Sequence, residues 1–152
     1  RKKEIYEEDL IALMRSDEDT ANDRLVVKRL RVVCGTEGPQ SAELTMLIDD
    51  MEKTETATGD GPVDATFNAV KALHPHSARL QLYQVHAVTE GTDAQATVSV
   101  RMEEEGNIAT GQSADTDTVV ASAKAYVNAL NRLLVRRGRT GEDTKEINYK
   151  YL

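Results

Sequence analysis

The sequence predicts an α+β domain made of duplicated βββα units with internal pseudo-two-fold symmetry, its antiparallel sheets each carrying a helix on one face. Three observations predict it. Residues 25–58 hold three strand-like runs, after which residues 62–75 switch to helical spacing. Residues 80–136 repeat that order of three strands and a helix. A shorter echo also recurs 52 positions on, where Thr56-Ala57-Thr58-Gly59 and Ile108-Ala109-Thr110-Gly111 each run into helix-like sequence.

The elements follow in order. Residues 1–20 are charged, with an apolar stripe of Ile5, Leu10, Ile11, Leu13 and Met14. Residues 6–13 read as a short helix and residues 16–20 as an acidic linker. Arg1-Lys2-Lys3-Glu4 reads like the middle of a helix, so the chain is expected to be a piece of a longer protein. The first strand, residues 25–34, is rich in Val and Leu and is stopped by Gly35 and Gly38-Pro39. In the second, Ala42, Leu44, Met46 and Ile48 alternate with Glu43, Thr45 and Asp49, the period of a strand with one buried face. The third, residues 52–58, is polar and Thr-rich. Pro62 suits the first turn of a helix, where its missing N–H costs nothing. Val63, Phe67, Val70 and Leu73 then recur at helical spacing.

The second half begins with a strand over residues 80–89 and a turn at Gly91-Thr92-Asp93. Ala96, Val98, Val100 and Met102 alternate with Thr97, Ser99 and Arg101. Glu105-Gly106-Asn107 signals a hairpin, and residues 107–111 a short third strand. The helix over residues 115–136 carries Val120, Ala123, Val127, Leu130 and Leu134 on one face. The main domain is expected over residues 21–137, with a polar, loosely held tail over 138–152.

Composition bounds the function. The 152 residues are 39% apolar and 30% charged, enough for one domain with a modest core. There is no Trp and only one Phe, Phe67, so aliphatic side chains must fill that core. A net charge of −7 argues against nucleic acid as a partner. No run approaches the roughly 18 apolar residues of a membrane span, so no membrane partner is expected and the cytoplasm is the default location. Cys34, the only cysteine, allows no intrachain disulfide and reads as a small core hydrophobe.

Catalytic constellations are poor. His74-Pro75-His76 has no carboxylate or Cys at ligand spacing and reads as a loop after a helix, so no metal site is expected. His86 sits within a strand pattern, and Ser113 and Ser122 lack a nucleophile-elbow context. Gly59-Asp60-Gly61 is too short for a dinucleotide fingerprint.

Binding is better supported. A strand that ends in Gly and at once opens a helix leaves backbone N–H groups free at the junction. The first junction offers those near Val63, Asp64 and Ala65 to a carboxylate, with Gly59 and Gly61 giving room for close approach. Asp60, Asp64 and Asp93 could answer an ammonium group. Val63, Leu80, Ala87, Ala94 and Ala114 would supply an apolar slot, where burying a leucine-sized side chain contributes about 1.5–3 kcal/mol. The residues leave a second reading open, in which both Gly junctions serve turn geometry and Asp64 and Asp117 merely favour helix N-termini.

Three ordered stretches resemble a known family. They are Gly59-Asp60-Gly61-Pro62-Val63-Asp64-Ala65-Thr66-Phe67-Asn68-Ala69, the run from Tyr83 to Ala96, and Asp115-Thr116-Asp117-Thr118-Val119-Val120 continuing to Asn131. Together, over residues 22–136, they resemble the C-terminal regulatory domain of 2-isopropylmalate synthases. Residues 1–20 resemble the end of the subdomain that joins this domain to the catalytic barrel.

The resemblance implies a domain that dimerises and binds leucine as a feedback inhibitor. The parent enzyme condenses an acyl-CoA with a 2-oxo acid on a divalent metal held in a TIM barrel. None of that barrel is in this sequence, so the chain is expected to be inactive alone and to hold no cofactor. The implied effector site comprises Gly59, Asp60, Gly61, Pro62, Val63 and Asp64; Leu80, Tyr83, Ala87, Asp93 and Ala94; and Gln112, Ser113 and Ala114. Ser113 departs from the commonest family pattern, which often has a second Gly there. The implied partners are leucine, a second copy of the domain and the catalytic barrel. An isoleucine-responsive domain of a citramalate synthase, or a dimerisation module without an effector, would fit the same motifs.

Overall fold

A computed structural model of the chain describes residues 23–88 and 95–150, with backbone alone for Ala87, Val88 and residues 137–150. β1 (Leu25–Val33), β2 (Gln40–Ile48) and β3 (Met51–Gly59) form one antiparallel sheet in that order, followed by α1 (Pro62–Leu73). β4 (Arg79–Val88), β5 (Gln95–Glu104) and β6 (Asn107–Asp115) form a second, followed by α2 (Thr118–Lys150). The expected α+β duplication of βββα units is therefore what the chain adopts. The expected helix and linker of residues 1–20, and the turn at Gly91, lie outside the described residues.

From β2 onward the two units correspond at an offset of 56 residues, as from Met46 to Met102, while the first strands correspond at 53, as from Lys28 to Gln81. Each central strand turns into the next through a two-residue hairpin with positive φ at both positions: Asp49 and Asp50 at 51° and 67°, Glu105 and Gly106 at 51° and 82°. Those angles match the right-handed twist of the flanking strands. A bulge interrupts each first strand at the same place. Lys28 is the extra residue opposite Met46 and Thr45, and Gln81 the extra residue opposite Met102 and Arg101.

This register corrects the 52-residue echo. Gly111 does not close a strand before a helix; it lies inside β6, opposite Val100, and the strand runs on to Asp115. The breaking tendency of Gly is overridden because α2 lies directly on it. A Cβ there would stand 2.0 Å from the Ala125 carbonyl oxygen and 2.5 Å from the Ala129 nitrogen. Glycine at this position admits the helix.

The core lies between the sheets and the helices. Ala42, Leu44 and Met46 of β2, Val98, Val100 and Met102 of β5, and the small residues Ala65 and Ala69 of α1 are fully buried. α2 departs from the expected single stripe. Ala121, Ala125, Tyr126, Ala129 and Leu133 are buried as well as Ala123, Val127 and Leu130. It rests on β5 and β6 but also reaches α1 and β1 of the first unit. Asn131 makes that reach specific: its Oδ1 accepts from the Leu25 N–H at 3.0 Å and its Nδ2 donates to the Leu25 carbonyl at 2.8 Å.

Two further expectations are corrected. α2 continues to Lys150, where the helix was expected to end near residue 136. Gly138 and Gly141 do not end it, and Glu142, Lys145 and Glu146 beyond them are good helix formers. Cys34 is exposed just past the end of β1, because the strand stops at Val33 and the chain turns outward.

Candidate functional site

At the first junction β3 ends at Gly59 and α1 begins at Pro62, with Gly61 as an N-cap in extended conformation (φ −156°) and no side chain to cap with. Ala65 N–H already donates to the Gly61 carbonyl at 2.9 Å, so it is not among the groups left over. Those that precede the first i→i−4 bond belong to Val63 and Asp64, since Pro62 has none. Asp64 turns back over the junction, its Oδ2 accepting from the Asp60 N–H at 2.9 Å. The space beside Gly59 is used internally: a Cβ there would meet Ala65 N at 2.5 Å and Asp64 Oδ2 at 2.6 Å. At Gly61 a Cβ would meet nothing within 4 Å. Close approach from outside is therefore open at Gly61 and filled at Gly59.

The equivalent junction of the second unit is Asp115-Thr116-Asp117, ahead of Thr118. There Asp117 Oδ1 accepts from the N–H groups of Val119 and Val120, at 2.8 and 3.2 Å. These are the counterparts of Val63 and Asp64. Asp115 accepts from Asp117 N–H at 2.9 Å and faces Lys124 Nζ at 3.5 Å. The Asp117 N–H, and then the Lys124 charge, hold the Asp115 carboxyl below the usual carboxylate range. The second helix end is thus closed by its own aspartates.

The apolar component comes from β4. The bulge at Gln81 shifts the alternation, so that Leu80, Tyr83 and Val85 stand opposite Met102, Val100 and Val98, on the core-side face. Without that extra residue Leu80 and Tyr83 would point to opposite faces. Among the described residues this stretch of the face is incompletely covered: Leu80 is 45% and Val85 42% exposed. Tyr83 is half-buried and links the face to both helices. Phe67 of α1 meets its ring edge-on, with centroids 5.9 Å apart. Its hydroxyl lies 2.7 Å from Ser122 Oγ of α2. Ser122 itself donates to the Thr118 carbonyl at 2.7 Å, which leaves Tyr83 as the donor to Ser122.

Phe67 also stacks on Tyr126 of α2 at 4.3 Å, and Tyr126 Oη lies 3.0 Å from His76 Nε2. His76 Nδ1 accepts from Ala78 N–H at 3.2 Å, so the neutral ring carries its proton on Nε2 and donates to Tyr126. Burial pushes the Tyr126 hydroxyl up to about 12. His76 is thus occupied at both ring nitrogens, and among the described residues no group of three His, Cys, Asp or Glu is placed to hold a metal.

The sequence-predicted residues fall into three groups. Gly59, Asp60, Gly61, Pro62, Val63 and Asp64 form the open end of α1. Leu80 and Tyr83 share the uncovered face of β4, joined to α1 through Phe67, and Ala87 continues the strand opposite Ala96. Gln112, Ser113 and Ala114 lie in β6, opposite Ser99, Val98 and Thr97. They sit on the far side of β5, about 9–10 Å from β4 across the sheet, and are not brought to the first two groups within one chain. Asp93 and Ala94 lie outside the described residues. Phe67, Ser122 and Asn131 were missed as site-supporting residues. Their signal, polar or aromatic residues inside apolar helical stripes, is one that core positions give as well.

A separate open cleft of about 510 Å³ lies on the outer face of the first sheet, lined by Arg29, Arg31, Glu43, Thr45 and Thr54. Arg31 stands opposite Glu43 and Arg29 lies 3.8 Å from Glu52, so it is a charge-paired solvated surface away from the junction.

Comparison with known proteins places this architecture. Residues 4–134 match the LeuA allosteric (dimerisation) domain. The chain belongs to this family. Similar proteins include 2-isopropylmalate synthases of Caulobacter sp. (strain K31), 61% identical over 140 residues, and of Caulobacter vibrioides (strain NA1000 / CB15N), 59% identical over the same length. Each alignment covers 92% of this chain but 26% of the relative. That of Rhodopseudomonas palustris (strain BisA53) is 54% identical over 139 residues, covering 91% of this chain and 27% of the relative. The chain therefore spans about a quarter of the length of these relatives. As a LeuA allosteric (dimerisation) domain it carries two equivalent helix ends, one open and one closed, and an exposed apolar strand face that Phe67 joins to the helix with the open end. Among the described residues no helix is long and apolar enough to cross a membrane.

Proposed function

We propose that this chain is the feedback-regulatory domain of a 2-isopropylmalate synthase and binds leucine as its effector, in a dimer formed through the same domain. The observation that carries the reading is the uncapped N-terminus of α1, in a helix whose Phe67 meets Tyr83 on the exposed face of β4. A leucine carboxylate accepts from the N–H groups of Val63 and Asp64 at the positive end of the helix dipole. The Asp60 carboxylate answers the ammonium. The isobutyl group lies toward Leu80, Tyr83 and Ala87, with Asp93 and Ala94 completing the slot. A second copy covers Leu80 and Val85, and Gln112, Ser113 and Ala114 reach the effector from that copy if at all. Catalysis, and the divalent metal it needs, belong to the part of the synthase beyond this chain, which acts in leucine biosynthesis in the cytoplasm. For leucine to inhibit, it must bind two states of the whole enzyme with different affinity.

Calorimetric titration with leucine, isoleucine and valine tests this. Preference for leucine supports the reading. Preference for isoleucine reassigns the domain to a citramalate synthase, since branching isomers differ by about 1–3 kcal/mol in a shaped apolar pocket. No heat from any of the three, with a dimer in sedimentation, leaves a dimerisation module.

A further inference from the structure

The polar link from Tyr83 to α2 is also the start of a continuous connection to the head of β1. Tyr83 donates to Ser122, in the first turn and a half of α2. Nine residues on, about 13 Å along the rod, Asn131 holds both backbone groups of Leu25. Asn131 is 5% exposed and Leu25 1%, so this amide pair takes the place of a strand ladder bond inside the core. The residue before it is fixed as well. Arg24 Nε and Nη2 fork onto Asp49 at 2.7 and 3.1 Å, and Asp49 N–H donates back to the Arg24 carbonyl at 2.8 Å. Two consecutive residues at the head of β1 are therefore clamped, one to the β2–β3 hairpin and the other to the helix of the opposite unit.

We propose that Tyr83, Ser122, α2 and Asn131 form a mechanical link that reports effector occupancy on β4 to Arg24 and Leu25, and so to the segment preceding β1. This rests on leucine being the effector at β4. An effector that contacts the Tyr83 ring changes the alignment of its hydroxyl with Ser122. A packed helix moves as a body, since its buried faces leave no slack, and Asn131 carries the displacement to Leu25. Ser122 and Asn131 are positioning residues in this scheme; neither touches the effector.

The test follows hydrogen exchange at two backbone amides in the presence and absence of saturating leucine, with calorimetry on the same samples. Leu44 N–H, in the central strand of the first sheet, reports the general stabilisation that any bound ligand confers. Leu25 N–H reports the link. In the unaltered chain, leucine should change the exchange of Leu25 about fivefold or more beyond its effect on Leu44, the lower end of usual coupling. Ser122→Ala keeps the helix and removes the acceptor for Tyr83; there leucine should still give heat, while Leu25 and Leu44 respond alike. Asn131→Asp, which sets a carboxylate oxygen against the Leu25 carbonyl, should have the same effect. Leucine heat with Leu25 and Leu44 responding alike in the unaltered chain overturns the link and leaves the effector reading standing. An excess response at Leu25 that survives Ser122→Ala overturns the route through Ser122. Absence of leucine heat in the unaltered chain overturns both.

Discussion

The junctions leading into α1 and α2 share a backbone plan and differ most in the chemistry of the residue at the N-cap. In the first, Gly61 stands at the N-cap and leaves Val63 and Asp64 N–H without a side-chain cap. In the second, Asp117 stands at the corresponding position and takes both equivalent N–H groups on one oxygen. An aspartate N-cap stabilises a helix by about 1 kcal/mol relative to alanine, and a glycine gives up only a few tenths of that. The first unit thus forgoes little stability by leaving its helix end open. A duplicated fold can keep one copy of a feature for stability and release the other for binding.

The largest effect that would break this comparison concerns glycine. Gly59 and Gly111 share sequence context but not structural position. Gly111→Ala places a methyl 2.0 Å from the Ala125 carbonyl, and either β6 or α2 must move. A loss of about 3 kcal/mol or more is expected, read by urea unfolding. If Gly111→Ala were neutral, the helix would not lie on β6 as described, and the offset between the units would have to be redrawn.

The next effect concerns what joins the units. Tyr126 belongs to α2 but stacks on Phe67 of α1, and burial raises its hydroxyl to about 12 in the folded state. A raised folded value for an acid means that its contribution is fully present below the unfolded value near 10 and is lost as pH rises through 12. Stability should fall by about 2–3 kcal/mol across that window. In Tyr126→Phe this component should vanish. An unchanged alkaline profile in the variant would place the titration elsewhere and leave the units less tightly joined than the stack suggests.

A smaller effect tests the closed junction itself. Asp117→Ala removes the cap and should cost about 1 kcal/mol, within a range of about 0.5–2, seen as a lower melting temperature. It should leave leucine binding unchanged, because the open end of α1 is untouched. Loss of leucine binding with unaltered folding would show that the second junction, not the first, holds the effector.

Much of this architecture is legible in the residues. The alternation of Ala42, Leu44, Met46 and Ile48, the Pro62 start and the repeated order of elements suffice for the βββα duplication, because each reports a local period. The first junction was legible for the same reason, since Gly61-Pro62 is a local signal. Three features were not. The offset of the repeat was hidden because Gly111 looks like a strand end, whereas its role is set by Ala125 and Ala129 fourteen and eighteen residues later. The bulge at Gln81, which puts Leu80 and Tyr83 on one face, depends on pairing with β5 and leaves no mark in the strand's own composition. The second face of α2 is built from Ala121, Ala125 and Ala129, too small to register as an apolar stripe, yet this is what lets the helix lie between the two units.

The central claim is that the open end of α1 binds the effector's carboxylate because Gly61 leaves it uncapped. Gly61→Asn tests it most directly: the backbone there is extended, a Cβ meets nothing within 4 Å, and an asparagine can cap as Asp117 does. Stability should rise by a few tenths of a kcal/mol, so any change in binding is not a loss of fold. Calorimetric titration of this variant beside the unaltered chain should show leucine affinity reduced about tenfold or more, since each charge-assisted bond displaced contributes about 1.5–3 kcal/mol. Undiminished leucine affinity in a folded Gly61→Asn domain would contradict the claim and place the carboxylate elsewhere.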